Sequence, residues 1–384
     1  MRTKVAIIRG EALNPYEMQA YVPLLGDFDV LLVGRRNGSY ETALLDLPVQ
    51  LLPSIAMHRP TARVWDRAQR VSGGRLRDAD FLFGLQRTVR DSSILHAAET
   101  AIPTSEQAAR ICNTHGNHLI LTCWETIPFR FDSDSELRRR KQYVKDAVSR
   151  YIAVTERAKA TLLEEGVDES KVELVPAAVD CQRFGPHVSG LDVRAQLGLA
   201  DHQVMVLFVG RLIQEKGVVE LVRAFARAAC HDSILAIVGS GDQGDRTLHA
   251  ARSLGVADRV RILPGRSYAD VPALYAAADL VVAPSLPTPY WEEQFGMVLV
   301  EAMASGKALI STSSGAIPDV VRDAAALVAP YDNESLAHHI HNLVQDVEAR
   351  QRLGHRARQL ALSAYSVESV APRLAECYRR ALAS

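Results

Sequence analysis

"VMVLFVGRLIQEKGVVELVRAFARA", residues 204–228, decides how the rest of the chain is read. Its first seven residues are an apolar, β-branched run closing on Gly210, the pattern of a strand buried on both faces of a parallel sheet. After a short polar turn, Val218, Val219, Leu221, Val222 and Phe225 recur at helical spacing, with Arg223 and Arg227 outside. A buried strand followed by an amphipathic helix is half of a βαβ unit. The same alternation runs on through "ILAIVG", "LHAARSLG", "VRILPG", "VPALYAAA", "LVVAPS", "GMVLVEAMASG", "ALISTSS", "IPDVVRDA" and "AALVAP". Short strands and helices in turn imply right-handed crossovers and a doubly wound parallel sheet.

Upstream, "KVAIIRG", "DVLLVG", "ILHAAE", "LILTCWE", "YIAVTE" and "VELVPAAVD" are strand candidates separated by helical or irregular stretches. The chain therefore reads as two Rossmann-like domains: 1–185, a linker over 186–203 rich in Gly, Pro and polar residues, and 204–365. From Asn333 onward the pattern is helical, with a break near "SAYS" (363–366). The last helix, 366–384, is expected to join the first domain. Two such domains facing one another bind ligands at the carboxyl ends of their strands.

The bulk numbers exclude several classes. With 384 residues, 48% apolar and 23% charged, the chain can bury two ordinary cores. A formal net charge of −1 offers no global field for nucleic acid. Its five cysteines are scattered, with no C-x-x-C pair, as in a reduced, cytoplasmic protein. No signal-peptide pattern precedes "KVAIIRG", and no apolar run approaches the ~18 residues of a membrane span.

Charge is uneven locally. Residues 59–90 hold eight arginines against three acids, whereas 1–185 as a whole has 25 basic and 24 acidic residues. Arg59, Arg63, Arg67 and Arg70 fall at helical spacing beside Val64, Trp65 and Ala68, as in an interfacial helix. The expectation is contact with an acceptor or with an anionic membrane, at the inner face of a cell membrane; a solvated helix face is the alternative. Oligomeric state is not written in the sequence.

"VGSGDQGD" places Gly239, Gly241 and Gly244 in the spacing G-x-G-x-x-G between a strand and a helix, the pattern of a dinucleotide fingerprint. That fingerprint needs an acid at the end of the next strand for the ribose. Here that strand, "RVRILPG", ends in Leu263, Pro264 and Gly265. An NAD-dependent oxidoreductase is therefore disfavoured, and the glycine turn is left to line another nucleotide site.

"GRLIQEKG" puts Gly210, Arg211 and Lys216 at the carboxyl edge of the sheet, where an anion sits. A guanidinium fork and a compact ammonium are complementary grips on phosphate, although both could be solvated loop charges. Downstream, "WEEQFGMVLVEAMASG" (291–306) sets Glu292 and Glu293 before a Phe-Gly pair and Glu301 inside an apolar helix. First-turn acids favour the helix dipole, which accounts for Glu292. It does not account for Glu301, because a carboxylate in an apolar run is costly without a partner. The helix start at Gly296 has free N–H groups for a phosphate oxygen.

In order, "FVGRLIQEKG", "VGSGD", "YAAADLVVAPS", "EEQFGMVLVEAMASG" and "SSGAIPDVV" resemble the C-terminal domain of retaining glycosyltransferases of the GT-B fold, the family-4 group. "VTERAKATLLEEGV" and "KVELVPAAVDCQRF" are similar to the end of that family's N-terminal domain, so the resemblance spans the chain. Its most specific part is E-x7-E, met by Glu293 and Glu301. The resemblance implies that Arg211 and Lys216 bind a donor diphosphate and that Glu301 accepts hydrogen bonds from the ribose. Glu293 then lies against the donor sugar, with the N–H groups of Phe295, Gly296 and Met297 near sugar and phosphate.

The first domain departs from the family pattern. The usual Gly-Gly pair after the first strand is Arg9-Gly10 here, leaving Gly10 as the phosphate-facing turn. Where the family often has a histidine after "LILTC", this chain has Trp124 and Glu125; with His96 they are the candidates for sugar or acceptor contacts. The implied reaction moves a sugar from a nucleotide diphosphate sugar (UDP or GDP) to an acceptor hydroxyl with retention. No cofactor or divalent ion is expected, because the cations carry the electrostatic work. A sugar-nucleotide epimerase and a catalytically dead sugar-nucleotide-binding protein are the alternatives.

Overall fold

A computed structural model describes residues 2–36, 38, 40, 42–54 and 81–383. The arginines of the basic segment from Arg59 to Arg77 therefore lie outside the described residues, and only Arg87 and Arg90 of that segment fall within them. By packing, the chain divides into two units. One takes Met1–Val154, Ala158–Val175 and Val370–Ser384; the other takes Thr155–Arg157 and Pro176–Ser369.

The first unit is built on seven parallel strands: β1 (Thr3–Gly10), β2 (Phe28–Arg35), β3 (Val49–Leu52), β4 (Ile94–Ala98), β5 (His118–Cys123), β6 (Val148–Ala153) and β7 (Val172–Leu174). Their order across the sheet is β3-β2-β1-β4-β5-β6-β7. β3 was not read from the sequence. It is four residues long, sits between Pro48 and Pro53, and lies at the sheet edge, the position where flanking prolines leave the ladder intact.

Six parallel strands form the second sheet: β8 (Val204–Val209), β9 (Ser233–Val238), β10 (Val260–Leu263), β11 (Leu280–Ala283), β12 (Ala308–Thr312) and β13 (Ala326–Val328). The order β10-β9-β8-β11-β12-β13 reverses direction between β8 and β11. All six residues of β9 are buried, as a central strand covered on both faces requires. The helix Val218–Ala228 buries Val218, Leu221, Val222 and Phe225 against this sheet, the face expected from its spacing. Each such side chain contributes about 1.5–3 kcal/mol of burial. All five cysteines are buried and free.

The chain's last segment runs through a helix Val347–Leu360, a π-helical turn Ala361–Tyr365 and the helix Val367–Ala383. The π turn falls on "ALSAY", at the break expected near 363–366. In the first unit, Tyr378 of the last helix packs on the sheet through His96 of β4. His96 has no exposed surface; its Nδ1 meets the Tyr378 hydroxyl and its Nε2 the Thr122 hydroxyl, both at 2.7 Å. Burial, and then the charge of Arg9, hold its pKa well below the usual imidazole range. His96 is thus a neutral core residue with both nitrogens occupied.

This arrangement predicts that His96→Ala, which removes two buried hydrogen bonds and leaves a cavity, destabilises the fold by about 2–4 kcal/mol. Denaturant unfolding checks it. A loss under about 1 kcal/mol contradicts the structural role, since one exposed hydrogen bond alone accounts for that much.

Candidate functional site

The second sheet reverses its strand order between β8 and β11, and the loops leaving those two strands build the site. The turn after β8 carries Gly210, Arg211 and the 3₁₀ segment Gln214–Lys216, and ends at Gly217. Gly217 has φ +67°, and a Cβ placed there would lie 2.1 Å from the carbonyl oxygen of Pro284, just after β11. Only glycine lets these two backbones meet. Lys216 is delivered by that contact to the β11 side. Its Nζ reaches Oε2 of Glu293 at 2.5 Å, and the same oxygen accepts the Ser285 hydroxyl at 2.7 Å. The ammonium also lies over the indole of Trp291, 4.9 Å from the ring centroid.

Glu293 is 7% exposed. Both of its side-chain hydrogen bonds fall on Oε2, and among the described residues none reaches Oε1. Its main chain is held as well: Ala316 N–H donates to the Glu293 carbonyl at 2.8 Å. Arg211, by contrast, is exposed and has no ion-pair partner among the described residues. Among the described residues, one cation is thus paired in the site and the other is not.

The helix Met297–Ala304 begins at Gly296, whose φ is +80°, with no side-chain cap and no acid in its first turn. Glu292 and Glu293 lie five and four residues before Met297, so the expectation that Glu292 is a first-turn acid is corrected. Glu292 instead accepts two hydrogen bonds from the Arg157 guanidinium, the Nη2–Oε2 contact at 2.9 Å. An α-helix start leaves its first N–H groups without intrahelical acceptors, and here no side chain caps it. Phe295, 1% exposed, packs its ring 5.9 Å from that of Tyr365 and offers the site only main chain. Met297 is half-buried at the first helical position.

Glu301, one turn from the end of the same helix, is buried and accepts the Tyr275 hydroxyl at 2.9 Å. Burial pushes its carboxyl up to about 7, opposed by hydrogen bonds from Tyr275 and Tyr268 and by the charge of Arg183. Arg183 stacks on Tyr268 at 4.4 Å and donates to its carbonyl at 2.8 Å. The costly acid noticed in the sequence therefore has partners, two tyrosines and an arginine.

The glycines of "VGSGDQGD" have a packing task. A Cβ on Gly239 would stand 1.8 Å from the Gly210 carbonyl, and one on Gly241 2.3 Å from that of Leu212. They let the turn after β9 close on the turn after β8, which is independent of any dinucleotide.

In the first unit the candidates line the carboxyl edge of its own sheet. Gly10 ends β1 with φ +56°, beside Thr104. Glu125 is consumed by its own loop: Oε1 accepts Thr126 and Ile127 N–H at 3.0 Å, and Oε2 pairs with Arg130 at 2.7 Å. Half-buried Trp124 donates its main-chain N–H to Glu99 at 2.7 Å. Glu99, last residue of the quoted "ILHAAE", was not singled out. Its φ is +63°, rare for a side-chain-bearing residue, and burial pushes its carboxyl up to about 7. Asp132 and Asp134 form a D-x-D spacing, yet Asp134 caps the helix Ser135–Ala147 and Asp132 pairs with Lys141 at 3.3 Å. Among the described residues no group of three or more His, Cys, Asp or Glu could hold a metal ion, and no helix is long and apolar enough to cross a membrane.

Residues 191–360 match the family described as glycosyl transferases group 1. A D-inositol 3-phosphate glycosyltransferase of Salinispora arenicola is 35% identical over 264 residues, covering 64% of this chain and 57% of that protein. A protein of the same description from Mycobacterium bovis is 32% identical over 252 residues, covering 63% and 51%. The chain spans about half the length of these relatives. Among solved structures, Anabaena HepE in complex with UDP superposes with a TM-score of 0.78 at 21% identity, covering 98% of this chain and 100% of that one. The same protein has been solved with UDP-glucose, at a TM-score of 0.78 and 20% identity. At such identities the likeness is one of fold, and that fold is GT-B, with two Rossmann-like parallel-sheet domains.

The environment of Glu301 carries a sign. A folded-state pKa raised from 4.5 to about 7 stabilises the fold below the unfolded value, and that contribution is lost as pH rises through 7. By pH 8 the buried charge costs on the order of 3 kcal/mol. Glu301→Gln keeps an acceptor for Tyr275 and removes the charge. The ligand-free variant is therefore expected to be more stable than wild type at pH 8, by on the order of 1–3 kcal/mol, with the gap closing near pH 5. Unfolding midpoints at the two pH values test it; parallel pH profiles for the two proteins contradict it.

Proposed function

We propose, starting from the membership of residues 191–360 in the glycosyl transferases group 1 family, that this protein transfers a sugar from a nucleoside diphosphate sugar to an acceptor hydroxyl, retaining the anomeric configuration. The observation that carries the reading is the Lys216–Glu293–Ser285 constellation at the switch point of the second sheet, with Oε1 of Glu293 unclaimed among the described residues. An ammonium suited to a diphosphate and a carboxylate oxygen suited to sugar hydroxyls stand side by side there.

Each group has one task in this reading. Glu301 accepts the ribose hydroxyls. Lys216, Arg211 and the uncapped helix start at Gly296 and Met297 bind the diphosphate and stabilise the charge that grows on it as the glycosidic bond breaks. Glu293 offers Oε1 to the sugar. The reading takes a same-face displacement without a covalent enzyme intermediate. The leaving phosphate takes the acceptor proton, and catalysis rests on orientation and electrostatics. The UDP and UDP-glucose complexes of Anabaena HepE support uridine as the nucleoside. Relatives named for D-inositol 3-phosphate support a polyol phosphate as acceptor. The arginine excess over 59–90 supports an anionic acceptor or lipid headgroup beside the first domain.

Lys216→Ala is expected to lower turnover on the order of 100-fold. A cation about 4 Å from a phosphate, at an effective dielectric near 20, contributes on the order of 4 kcal/mol before desolvation. Exposed Arg211 is screened, so Arg211→Ala is expected to cost about tenfold. A thermal-shift panel of nucleoside diphosphate sugars identifies the donor, and initial rates then score the variants. Activity within about threefold of wild type for both variants, under about 1 kcal/mol of barrier, rejects the diphosphate assignment.

Glu293→Gln and Glu301→Gln separate the two acids. Loss at the ribose weakens donor and free nucleotide alike, whereas loss at the sugar lowers the single-turnover rate at saturating donor. If Glu293→Gln loses nucleotide affinity while Glu301→Gln keeps it, the two assignments are reversed.

A further inference from the structure

The loop that leaves β11 clasps the Lys216 turn at two points. At its start, Leu286 N–H donates to the carbonyl of Glu215 at 2.7 Å, the residue before Lys216. At its end, the indole of Trp291 covers the Lys216 ammonium. Between them the loop is tied by its own main chain. Thr288 N–H donates to the Trp291 carbonyl at 2.7 Å, with a return bond of 3.4 Å, and the Tyr331 hydroxyl donates to the Pro287 carbonyl at 2.8 Å. None of these bonds uses the Trp291 side chain. Its position is set by backbone contacts, and its ring is free to act on what lies beneath it.

We propose that Trp291 is the positioning residue for Lys216: its indole face holds the ammonium where the donor diphosphate docks, without adding negative charge there. The proposal rests on the reading of Lys216 as a diphosphate cation. A lysine head is a point charge on a flexible four-carbon stem, and it needs a second contact to stay in one place. Glu293 supplies the first through Oε2. A second carboxylate would complete the cage but would also repel the incoming phosphates. An aromatic face attracts the ammonium through its quadrupole and remains neutral, and tryptophan is the strongest of the rings in this respect. The ring also keeps water from one side of the Lys216–Glu293 pair, which strengthens the field the diphosphate meets.

A merely structural tryptophan and a positioning one differ in what they discriminate. Calorimetric affinities for UDP and for uridine are measured on wild type, Trp291→Leu, Trp291→Phe, Lys216→Met and the double variant Lys216→Met/Trp291→Leu. Trp291→Leu is expected to weaken UDP about tenfold while uridine stays within about twofold, and Trp291→Phe to recover most of the loss. In the Lys216→Met background the Trp291→Leu change is expected to add less than about twofold, the signature of a coupled pair. Equal losses for UDP and uridine, wild-type behaviour of Trp291→Leu, or an undiminished effect in the Lys216→Met background each overturn the proposal. If Lys216→Met itself leaves the UDP-to-uridine ratio unchanged, the diphosphate reading fails, and this inference fails with it. Should Trp291→Leu not fold, Trp291→Phe alone decides: a UDP-specific loss smaller than that of Lys216→Met supports the proposal, and an equal loss for UDP and uridine overturns it.

Discussion

The ion pair between Lys216 and Glu293 depends on a backbone contact that no side chain makes, the approach of Gly217 to the carbonyl of Pro284. Without that approach the turn after β8 and the loop after β11 could not share a charge pair. Both would then leave the sheet at its switch point as separate, solvated loops. The pair in turn fixes which oxygen of Glu293 is spent and which is left over. Salt bridges of this kind add little net stability, because desolvation offsets most of the attraction. What this pair supplies is placement: a cation and a carboxylate oxygen are held side by side at the edge where parallel sheets take ligands.

Two glutamates eight residues apart are solved differently. Glu293 sits ahead of the helix and pairs with a lysine from the turn after β8. Glu301 sits inside the helix and, among the described residues, meets hydroxyls and a more distant guanidinium, so burial dominates and its carboxyl rises to about 7. The first arrangement pairs a carboxyl group with an ammonium at the carboxyl edge of the sheet. The second keeps an acid that is expensive to ionise where it is buried.

Periodicity and composition were enough to read twelve of the thirteen strands among the described residues, because buried parallel strands are local apolar runs that announce themselves. Arg211, Lys216, Glu293 and Glu301 were singled out from their places at strand ends and a helix start together with a family resemblance, and the fold brings Lys216 and Glu293 into contact. The residues missed are those whose meaning is long-range. Ser285 and Trp291 were not singled out; only the fold brings them to Glu293 and Lys216. Glu292 carried the sign of a first-turn acid but not its position, since Gly296 starts the helix four residues later. Glu99 stood inside a quoted strand end, and a positive φ cannot be seen in a residue type.

The carboxyl edge of the first sheet raises the same problem with another outcome. Glu125 and Trp124, which the sequence offered as sugar contacts, are bound into their own loop by Glu99, Arg130 and neighbouring N–H groups. A carboxylate that caps two main-chain donors and pairs with an arginine has its acceptor capacity committed. What that edge can offer a ligand is the loop it shapes more than the charge of Glu125 itself. Glu99 holds that loop from beneath, in a backbone conformation costing on the order of 1–3 kcal/mol. Strain of that size persists only when the surroundings over-determine it, and here the surroundings are the Trp124 N–H and the end of β5. The strain at Glu99 and the position of Trp124 are therefore one feature. A substitution at Glu99 acts on whatever meets the Trp124 loop, through geometry and without touching it.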